Sequence, residues 1–278
     1  MINMSRISII MGIYNCENTL EDAVDSIVKQ TYKEWILIMC DDGSSDNTYA
    51  VAKQLQEKYA DKIILIKNKE NLGLNKTLNH CLEYADSEYI ARMDGDDISL
   101  PTRLEQEIMF LERNPDYSIV STPMFFFDEN GIWGKNKMIS YPQKVDFIKG
   151  TPFNHAPCMI RTEALKAVGG YSENKMTMRA EDYDLWFRLY EKGYRGHNLS
   201  DALYKMRDDV NAYHRRKFKY AVNEAYVRFS GYRRLKLSIG AYVYAIRPIL
   251  VGLCPKPIYM KLHHKKLGNK NFENCEIH

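Results

Sequence analysis

Three carboxylates lie within four positions in the stretch YIARMDGDDISLP, residues 89 to 101. Asp94, Asp96 and Asp97 follow an apolar run directly, and each ionised carboxylate raises the cost of ionising its neighbours. Mg²⁺ and Mn²⁺ prefer oxygen ligands, and in nucleotide sites they are typically held by one or two carboxylates and phosphate oxygens. The spacing is equally compatible with two alternatives, a cation site and an acidic helix cap provided by Asp97 or Ser99.

Two further acidic motifs are candidates for chemistry. Asp41 and Asp42 open the stretch DDGSSD, where adjacent acids could accept hydrogen bonds from a base or a ribose, although such residues are also common turn formers. Asp182, in EDYDLW, is a candidate general base because its neighbour Glu181 and burial by Trp186 would raise its pKa. An ordinary acidic first turn of a helix explains Asp182 equally well.

Hydrophobic periodicity predicts the elements that must position these acids. The predicted strands are 7–15, 35–40, 62–68 and 89–93, and the predicted helices between them are 19–31, 47–59 and 75–86. Such alternation implies right-handed βαβ units and a parallel sheet with helices on both faces. Ligands bind beyond the carboxyl ends of the strands in sheets of this kind, and the acidic loops follow those ends.

The alternation is lost in the second half of the chain, which predicts a mixed sheet there. A helix is expected from Pro101, a strand-rich segment over 117–133, and a short strand followed by a helix from Thr162 that ends at Gly169. The aromatic stripe in 179–193 predicts a further helix that begins with Asp182 and its acidic neighbours.

The last part of the chain is basic. It has 16 Lys and Arg but 3 Asp and Glu between Lys205 and Lys270, which leaves 23 basic and 33 acidic residues of the total 39 and 36 for the rest. A basic amphipathic helix is predicted over 213–236, with an apolar stripe of Phe218, Val222, Ala225, Phe229 and Tyr232. The apolar run 237–254 is a poor spanning helix because Arg247 and Pro248 interrupt it.

Composition fits one large soluble domain with an appendage. The chain has 278 residues, of which 45% are hydrophobic and 27% charged. Its six cysteines show no CxxC pairing, which favours reduced thiols over a metal site. The N-terminal stretch MINMSRISII has no long apolar core or cleavage site typical of a signal peptide, so a cytoplasmic location is expected.

The order of the motifs is more specific than any one of them. A strand ending in DDGSSDNT, then NLG, YIARMDGDDISLPTRL, GGY and EDYDLW, resembles the inverting family 2 glycosyltransferases, particularly bacterial enzymes of capsule and exopolysaccharide assembly. The resemblance covers roughly residues 5 to 210. It implies the α/β GT-A fold, with a transferase domain over 1–210 whose halves 1–100 and 101–210 bind nucleotide and acceptor, followed by basic amphipathic helices in 211–278.

The resemblance also implies residue roles. The expected nucleotide-sugar-binding residues are Gly12, Ile13, Tyr14, Asp42, Asn71, Gly73, Asp94, Gly95 and Asp96. Within that set, Tyr14 would lie near the base ring and Asp42 would bind uracil. Asp96 would be the more direct ligand of Mn²⁺ or Mg²⁺, with Asp94 nearer the ribose and the metal waters. Asp182 would be the catalytic base. The residues expected near the donor sugar or acceptor are His155, Glu181 and Trp186, with core packing as the alternative for His155 and Trp186.

The implied partners are a nucleotide sugar, UDP-linked by resemblance, and a lipid-linked or oligosaccharide acceptor. The basic segment 213–270 suits an anionic membrane surface and a peripheral location at the inner face of the cell membrane, and a homo-oligomer is compatible with the sequence. Packing of this segment on the acidic body, nucleic-acid binding and a non-catalytic carbohydrate-binding protein are the alternatives, of which nucleic acid is not expected. A dinucleotide-dependent oxidoreductase is disfavoured because no GxGxxG motif follows the first strand.

Overall fold

The computed structural model describes residues 5–207 and 217–253, and its first hundred residues follow the predicted strand–helix alternation. The strands are β1 (Ile7–Ile13), β2 (Trp35–Asp41), β3 (Ile63–Lys67) and β4 (Tyr89–Arg92). The helices between them are α1 (Leu20–Val28), α2 (Thr48–Lys58) and α3 (Leu74–Leu82). All four strands are mutually parallel where they pair, so their carboxyl ends lie at one edge of the sheet.

Helices on both faces of the sheet explain why β1 is apolar along nearly its whole length. Alternate residues of the strand belong to two separate cores: Ile7, Ile9 and Met11 pack with α1, whereas Ile10 packs with α3. Both sides of the strand are therefore removed from water, as is usual for parallel sheets. The described cysteines, Cys16, Cys40, Cys81 and Cys158, are free thiols, in agreement with the reduced state that the sequence predicts.

The second half of the chain completes the sheet and adds a smaller one. Its elements are β5 (Ile98–Ser99), α4 (Arg103–Arg113), β6 (Ile119–Ser121), β7 (Met124–Asp128), β8 (Gly131–Lys135), β9 (Met159–Arg161), α5 (Thr162–Ala167), α6 (Glu181–Glu191), β10 (Gly196–Asn198) and β11 (Tyr204–Arg207). The larger sheet has the order β10-β6-β9-β4-β1-β2-β3 and the smaller one β5-β11-β7-β8. Strand β9 runs antiparallel to both β4 and β6, so the predicted mixed sheet is confirmed.

The helix cap proposed for the acidic cluster is not formed. Helix α4 begins at Arg103, and Thr102 rather than an acidic residue occupies its N-cap position. Residue Ser99 belongs to β5, and Asp97 lies immediately before that strand. The cap alternative therefore fails because a short strand separates the acids from the helix.

The basic segment forms α7 (Phe218–Arg234), a 3-10 helix (Ile239–Ile246) and α8 (Arg247–Gly252). The predicted helix thus starts at Phe218; residues 213–216, and all residues after 253, lie outside the described part of the chain. No helix in the described ranges combines the length and the apolar character needed to cross a membrane.

One face of α7 packs on the body, but it is not the predicted apolar stripe. Asn223, Val227, Arg228, Gly231 and Tyr232 are buried there, and Gly231 lies against Phe187 of α6. Of the stripe, Tyr232 is buried, whereas Phe218, Val222 and Phe229 are exposed. The packing alternative and an exposed apolar surface therefore coexist on one helix.

Candidate active site

The polar loops after β1, β2 and β4 meet at the carboxyl edge of the larger sheet. Ile13 pairs with Asp41, and Ile10 pairs with Arg92, so the chain after β4 passes beside the end of β1. Gly95 makes this approach close: a Cβ atom at its position would lie 3.1 Å from both Ile13 Cγ2 and Cys16 Sγ. A side chain larger than hydrogen would push the acidic loop away from the loop that follows β1.

The acidic cluster, Asp94, Asp96 and Asp97, is compact enough to hold one cation. One carboxylate oxygen from each residue lies within 4.8 Å of the others. The Asp94 carboxylate is 31% exposed and accepts hydrogen bonds from both terminal nitrogens of Arg92. The Asp94 backbone N–H donates to the Tyr204 hydroxyl over 3.2 Å. The cluster therefore combines carboxylate oxygens that could bind a metal ion with the positively charged side chain of Arg92.

Asp97 is the most buried member of the cluster, with 2% of its surface exposed. Its carboxylate accepts the backbone N–H of Arg207 over 2.8 Å, which joins the acidic loop to the end of β11. Burial, together with the charges of Asp94 and Asp96, raises the pKa of Asp97 well above its ordinary value. Asp97 thus ties the acidic loop to the end of β11.

Asp42 holds the loop that follows β3. One carboxylate oxygen accepts from Asn68 Nδ2 and the Leu72 N–H, both over 2.8 Å, and the other accepts the Gly73 N–H over 3.0 Å. A carboxylate offers about four lone-pair positions, so these three bonds leave capacity for one more donor. Asp42 therefore shapes the loop in the protein alone, and its contact with a base stays a prediction.

The other residues expected to bind nucleotide surround the same edge. Tyr14 directly follows β1 and is 49% exposed, and Asn71 is also exposed. Gly73 adopts a φ of +90°, a conformation that favours glycine, before α3 begins. Gly12 permits close packing instead, since a Cβ there would lie 3.2 Å from Leu74 and Thr77 side-chain atoms. Gly12 therefore allows β1 to pack closely against α3.

Asp182 is the second residue of α6 and is half-buried beside Glu181. Burial first, and the charge of Glu181 second, raise the pKa of Asp182 to about 7. Glu181 is itself 7% exposed, and burial raises its pKa as well. The first turn of α6 thus presents a carboxyl group that changes protonation state near neutral pH.

The rings of His155 and Trp186 pack against each other, and Trp186 belongs to α6. The ring centroids of these residues are 6.1 Å apart, and His155 Nε2 lies 2.8 Å from the Tyr171 hydroxyl. Burial, and then the positive charge of Arg92, hold the pKa of His155 well below its ordinary value, so the ring is neutral. Trp186 is fully buried, which favours the packing alternative for this residue over contact with an acceptor.

Sequence reasoning missed Arg92, Tyr204 and Asn68, which hold the predicted acids in place. Arg92 is 4% exposed and Tyr204 is fully buried, whereas Asn68 bridges Asp42 and the Thr77 hydroxyl. A charged residue inside the apolar strand YIARM was the available signal for Arg92, because buried arginines are rare unless paired. Nothing in the local pattern distinguishes Tyr204, since its partner Asp94 lies 110 positions away.

Sequence comparison identifies the family. The family model of glycosyl transferase family 2 matches residues 8–169, and that of glycosyl transferase family group 2 matches 89–262. The chain is 45% identical to EpsE of Bacillus subtilis over 265 residues, covering 95% of each protein. It is 30% identical to the amylovoran biosynthesis glycosyltransferase AmsE of Erwinia amylovora, covering 93% of this chain and 98% of AmsE.

A third relative is the UDP-Glc:alpha-D-GlcNAc-diphosphoundecaprenol beta-1,3-glucosyltransferase WfaP of Escherichia coli, which is 29% identical over 89% of this chain and 95% of WfaP. Solved structures share the fold. TarS 1-349 of S. aureus in complex with UDP-GlcNAc has a TM-score of 0.68 at 19% identity, over 94% of this chain and 73% of the TarS 1-349 chain. The mannosyltransferase PcManGT of Pyrobaculum calidifontis, in complex with GDP-Man and Mn²⁺, has a TM-score of 0.63 at 19% identity, over 94% and 79%. The chain therefore belongs to glycosyl transferase family 2 and is a glycosyltransferase with the GT-A fold.

Proposed function

We propose that this glycosyltransferase moves a sugar, with inversion, from a UDP-sugar to a hydroxyl of a lipid-linked glycan during synthesis of a cell-surface polysaccharide. The observation that carries the proposal is Asp182, a half-buried carboxyl whose pKa of about 7 suits a general base at neutral pH. The names of AmsE and WfaP support polysaccharide synthesis and a diphosphoundecaprenol acceptor, and the TarS complex supports a UDP-linked donor.

The acidic cluster fits Mn²⁺ or Mg²⁺. Its donors are carboxylate oxygens, which these ions prefer, and they converge within 4.8 Å of one another. Asp96 and Asp94 would hold the ion, with Asp97 orienting the turn through Arg207. A bound ion would act as a Lewis acid that stabilises the charge developing on the departing diphosphate. The Mn²⁺ in the PcManGT complex is consistent with this assignment.

The chain's own residues would perform the other steps. Sugar transfer passes through an oxocarbenium-like state, and an inverting enzyme needs a base on the face opposite the leaving group. Asp182 would accept the proton of the incoming hydroxyl, and burial, followed by the charge of Glu181, keeps the pKa of Asp182 high enough for that task. The ordered loop that Asp42 holds at Leu72 and Gly73 would form one wall of the base pocket beside Tyr14.

A panel of nucleotide sugars tests this proposal directly. The purified protein is incubated with UDP-, dTDP- and GDP-linked sugars, with and without Mn²⁺ or Mg²⁺, using a membrane extract as the acceptor source. We expect metal-dependent transfer or hydrolysis with UDP-linked donors. A metal-independent reaction, or a preference for another nucleotide, would contradict the corresponding part of the proposal.

Substitution of the base separates catalysis from binding. Asp182→Asn should lower turnover by about 10²-fold or more while leaving UDP binding nearly unchanged. Asp184→Asn is the matched control, since it removes a carboxylate from the same helical turn that pairs with Arg188 over 2.7 Å. We expect the control to lose stability but to retain turnover. Substantial turnover in Asp182→Asn would refute the assignment of the base.

We further propose that the C-terminal helices bind an anionic membrane surface peripherally. Ile239 is 90% exposed, and Val243 and Leu250 are 71% and 64% exposed. A groove of about 400 Å³ runs between α7 and the 3-10 helix, and its lining is formed by Ala225, Phe229, Ile239, Tyr242, Val243, Ala245, Ile246 and Ile249. Large contiguous apolar patches on soluble proteins mark interaction sites.

The same segment carries exposed basic residues, namely Lys217, Lys219, Arg233, Arg234, Lys236 and Arg247, of which Arg234 pairs with Glu191 of α6. Apolar side chains flanked by cations are typical of helices that lie in the interface of anionic membranes, where each Lys or Arg contributes about 1 kcal/mol. Six of the eight residues that line the groove are aliphatic, which favours a lipid surface over nucleic acid, because bases are bound by stacked aromatic rings along a basic groove.

Liposome flotation tests this second part. The protein should bind vesicles that contain anionic phosphatidylglycerol and should not bind neutral phosphatidylcholine vesicles. Ile239→Asp with Val243→Asp should abolish binding, whereas Val145→Asp, at a position 62% exposed outside this segment, should not. No binding to either vesicle would refute the membrane proposal. If the wild type instead forms a dimer at higher protein concentration, and the same double substitution makes it monomeric, the surface is the interface of a homo-oligomer.

A further inference from the structure

Arg92 is a buried cation directly beneath the acidic cluster. It is the last residue of β4, and its terminal nitrogens donate to both oxygens of the Asp94 carboxylate, with Nη1 to Oδ2 at 2.7 Å. The arginine side chain is 5% exposed and the aspartate side chain 31%. Pairing of this forked kind fixes the orientation of a carboxylate as well as its charge.

The backbone of Arg92 is fixed by two hydrogen bonds, so the guanidinium that contacts Asp94 extends from an anchored strand end. Its backbone N–H donates to the Cys158 carbonyl over 2.9 Å, and Cys158 immediately precedes the antiparallel neighbour β9. Its carbonyl oxygen accepts Arg103 Nη1 over 3.1 Å, and Arg103 is fully buried. The guanidinium of Arg103 lies 5.5 Å from the ring centroid of Tyr204.

These contacts form a closed ring. The Tyr204 hydroxyl accepts a hydrogen bond from the backbone N–H of Asp94. The contacts thus run from Arg92 to Arg103, from Arg103 to Tyr204, and from Tyr204 back to Asp94, whose carboxylate Arg92 holds. Both the backbone and the side chain of Asp94 are therefore fixed by residues with less than 5% exposure. Such an arrangement is pre-organised, because it exists before a cation or a nucleotide arrives.

We propose that Arg92 is a positioning residue that fixes Asp94 for the reaction and offsets part of the negative charge of the acidic cluster. In the protein alone, the positive charge of Arg92 lowers the electrostatic cost of placing three carboxylates close together at the end of an apolar strand. With a divalent ion present, its positive charge weakens binding of the bare ion but keeps Asp94 in a single orientation. The catalytic consequence rests on the proposed function, whereas the effect on ion binding does not.

Two variants and one control test this role. Arg92→Met removes the charge at similar volume, and Arg92→Lys keeps the charge but loses the fork that contacts both oxygens. Arg188→Met removes another largely buried arginine, which pairs with Asp184 and bonds to the Val168 and Gly170 carbonyls instead. Circular dichroism and thermal unfolding first establish that each protein folds. Mn²⁺ alone is then titrated and followed by electron paramagnetic resonance, and sugar transfer is measured separately.

Arg92→Met should bind Mn²⁺ several-fold more tightly than the wild type, because a nearby positive charge has been removed. Arg92→Lys should bind Mn²⁺ like the wild type. Both variants should lose transfer by about tenfold or more, since Asp94 is no longer held in one geometry. The Arg188→Met control should lower the melting temperature and leave Mn²⁺ affinity unchanged.

Each other outcome counts against a stated part. Unchanged or weaker Mn²⁺ binding by Arg92→Met, or the same change in Arg188→Met, would overturn the proposal. If Arg92→Met does not fold, Arg92→Lys decides: transfer at the wild-type rate overturns the proposal, and reduced transfer with normal Mn²⁺ affinity supports it. A wild-type protein that does not bind Mn²⁺ also overturns it. Mn²⁺ binding without transfer from any nucleotide sugar would refute only the proposed function.

Discussion

Replacement of Gly231 by alanine should destabilise the protein, against the usual preference for alanine in a helix. A Cβ at this position of α7 would lie 2.2 Å from Cδ2 and 2.3 Å from Cγ of Phe187 in α6. The Phe187 ring is 1% exposed and is enclosed by the rings of Phe147, Tyr183 and Tyr232, whose centroids lie 4.7 to 5.9 Å from its own. The ring therefore has no direction in which to yield, and the two helices must separate.

The magnitude follows from two opposing terms. Alanine is favoured over glycine inside a helix by about 0.5–1 kcal/mol. Overpacking of a well-filled core costs about 1–3 kcal/mol and occasionally more. Because the contact is more than 1 Å inside ordinary van der Waals distance, we place the cost at the upper end. Gly231→Ala should thus lower the free energy of unfolding by about 2 kcal/mol.

Equilibrium unfolding in urea, followed by tryptophan fluorescence, measures this loss. Gly240→Ala is the matched control, since nothing lies within 4 Å of a Cβ built there, and it should change stability by less than about 0.5 kcal/mol. The double variant Gly231→Ala with Phe187→Leu should lose less than the sum of its single variants, because the smaller side chain makes room for the methyl group. A Gly231→Ala protein as stable as Gly240→Ala, or strictly additive losses, would refute the packing argument.

The remaining predictions concern the acids. Because Asp182 must be deprotonated to act as base, kcat/KM should rise with pH through about 7 and level off above it, and a flat profile from pH 5.5 to 8.5 would contradict this. The same raised pKa links stability to pH, because the folded protein retains the Asp182 proton up to about pH 7 whereas the unfolded chain releases it near pH 4. The free energy of unfolding therefore falls as pH rises from about 4 to about 7. Asp182→Asn should therefore be more stable than the wild type at pH 8, by up to about 4 kcal/mol, with the difference vanishing near pH 4 in urea titrations. Asp96→Ala should abolish metal-dependent UDP binding in calorimetry. Asp97→Ala should mainly lower the free energy of unfolding, by about 1–3 kcal/mol, because the Arg207 N–H loses its acceptor. The reverse pattern would overturn this division of roles.

The first hundred residues of the fold could be predicted because their signal is local. Each of their strands is a short apolar run, and each helix has an apolar stripe that faces the sheet, as Leu20, Val24 and Ile27 do in α1. The smaller sheet was not predicted. Strand β5 has two residues, and its partner β11 begins more than a hundred positions later, so no local pattern reports the pairing.

The orientation of α7 shows a second limit of periodicity. The stripe of Phe218, Val222 and Phe229 predicts an amphipathic helix correctly, but it does not say which surface covers the stripe. In the structure, Gly231 permits the closest approach to α6, and Arg228 is buried because it pairs with Glu224 over 2.8 Å and bonds to the Ile148 carbonyl. A glycine and a paired arginine therefore select the packed face, and neither is recognised by an apolar pattern.

The types and spacing of its residues predicted the acidic cluster with two alternatives, a cation site and a helix cap, but the inequivalence of its members has a structural origin. Asp94 is neutralised by Arg92, and Asp97 is buried against the Arg207 backbone with a raised pKa. A cluster with three free charges would repel itself and would hold its first cation tightly. This cluster instead contains an internal ion pair and a buried acid whose pKa is raised. A bound cation would then owe much of its affinity to the diphosphate that arrives with the sugar, which predicts that UDP and Mn²⁺ each tighten the binding of the other. Calorimetric titration of each ligand in the presence and absence of the other would measure that coupling, and equal affinities in both conditions would refute it.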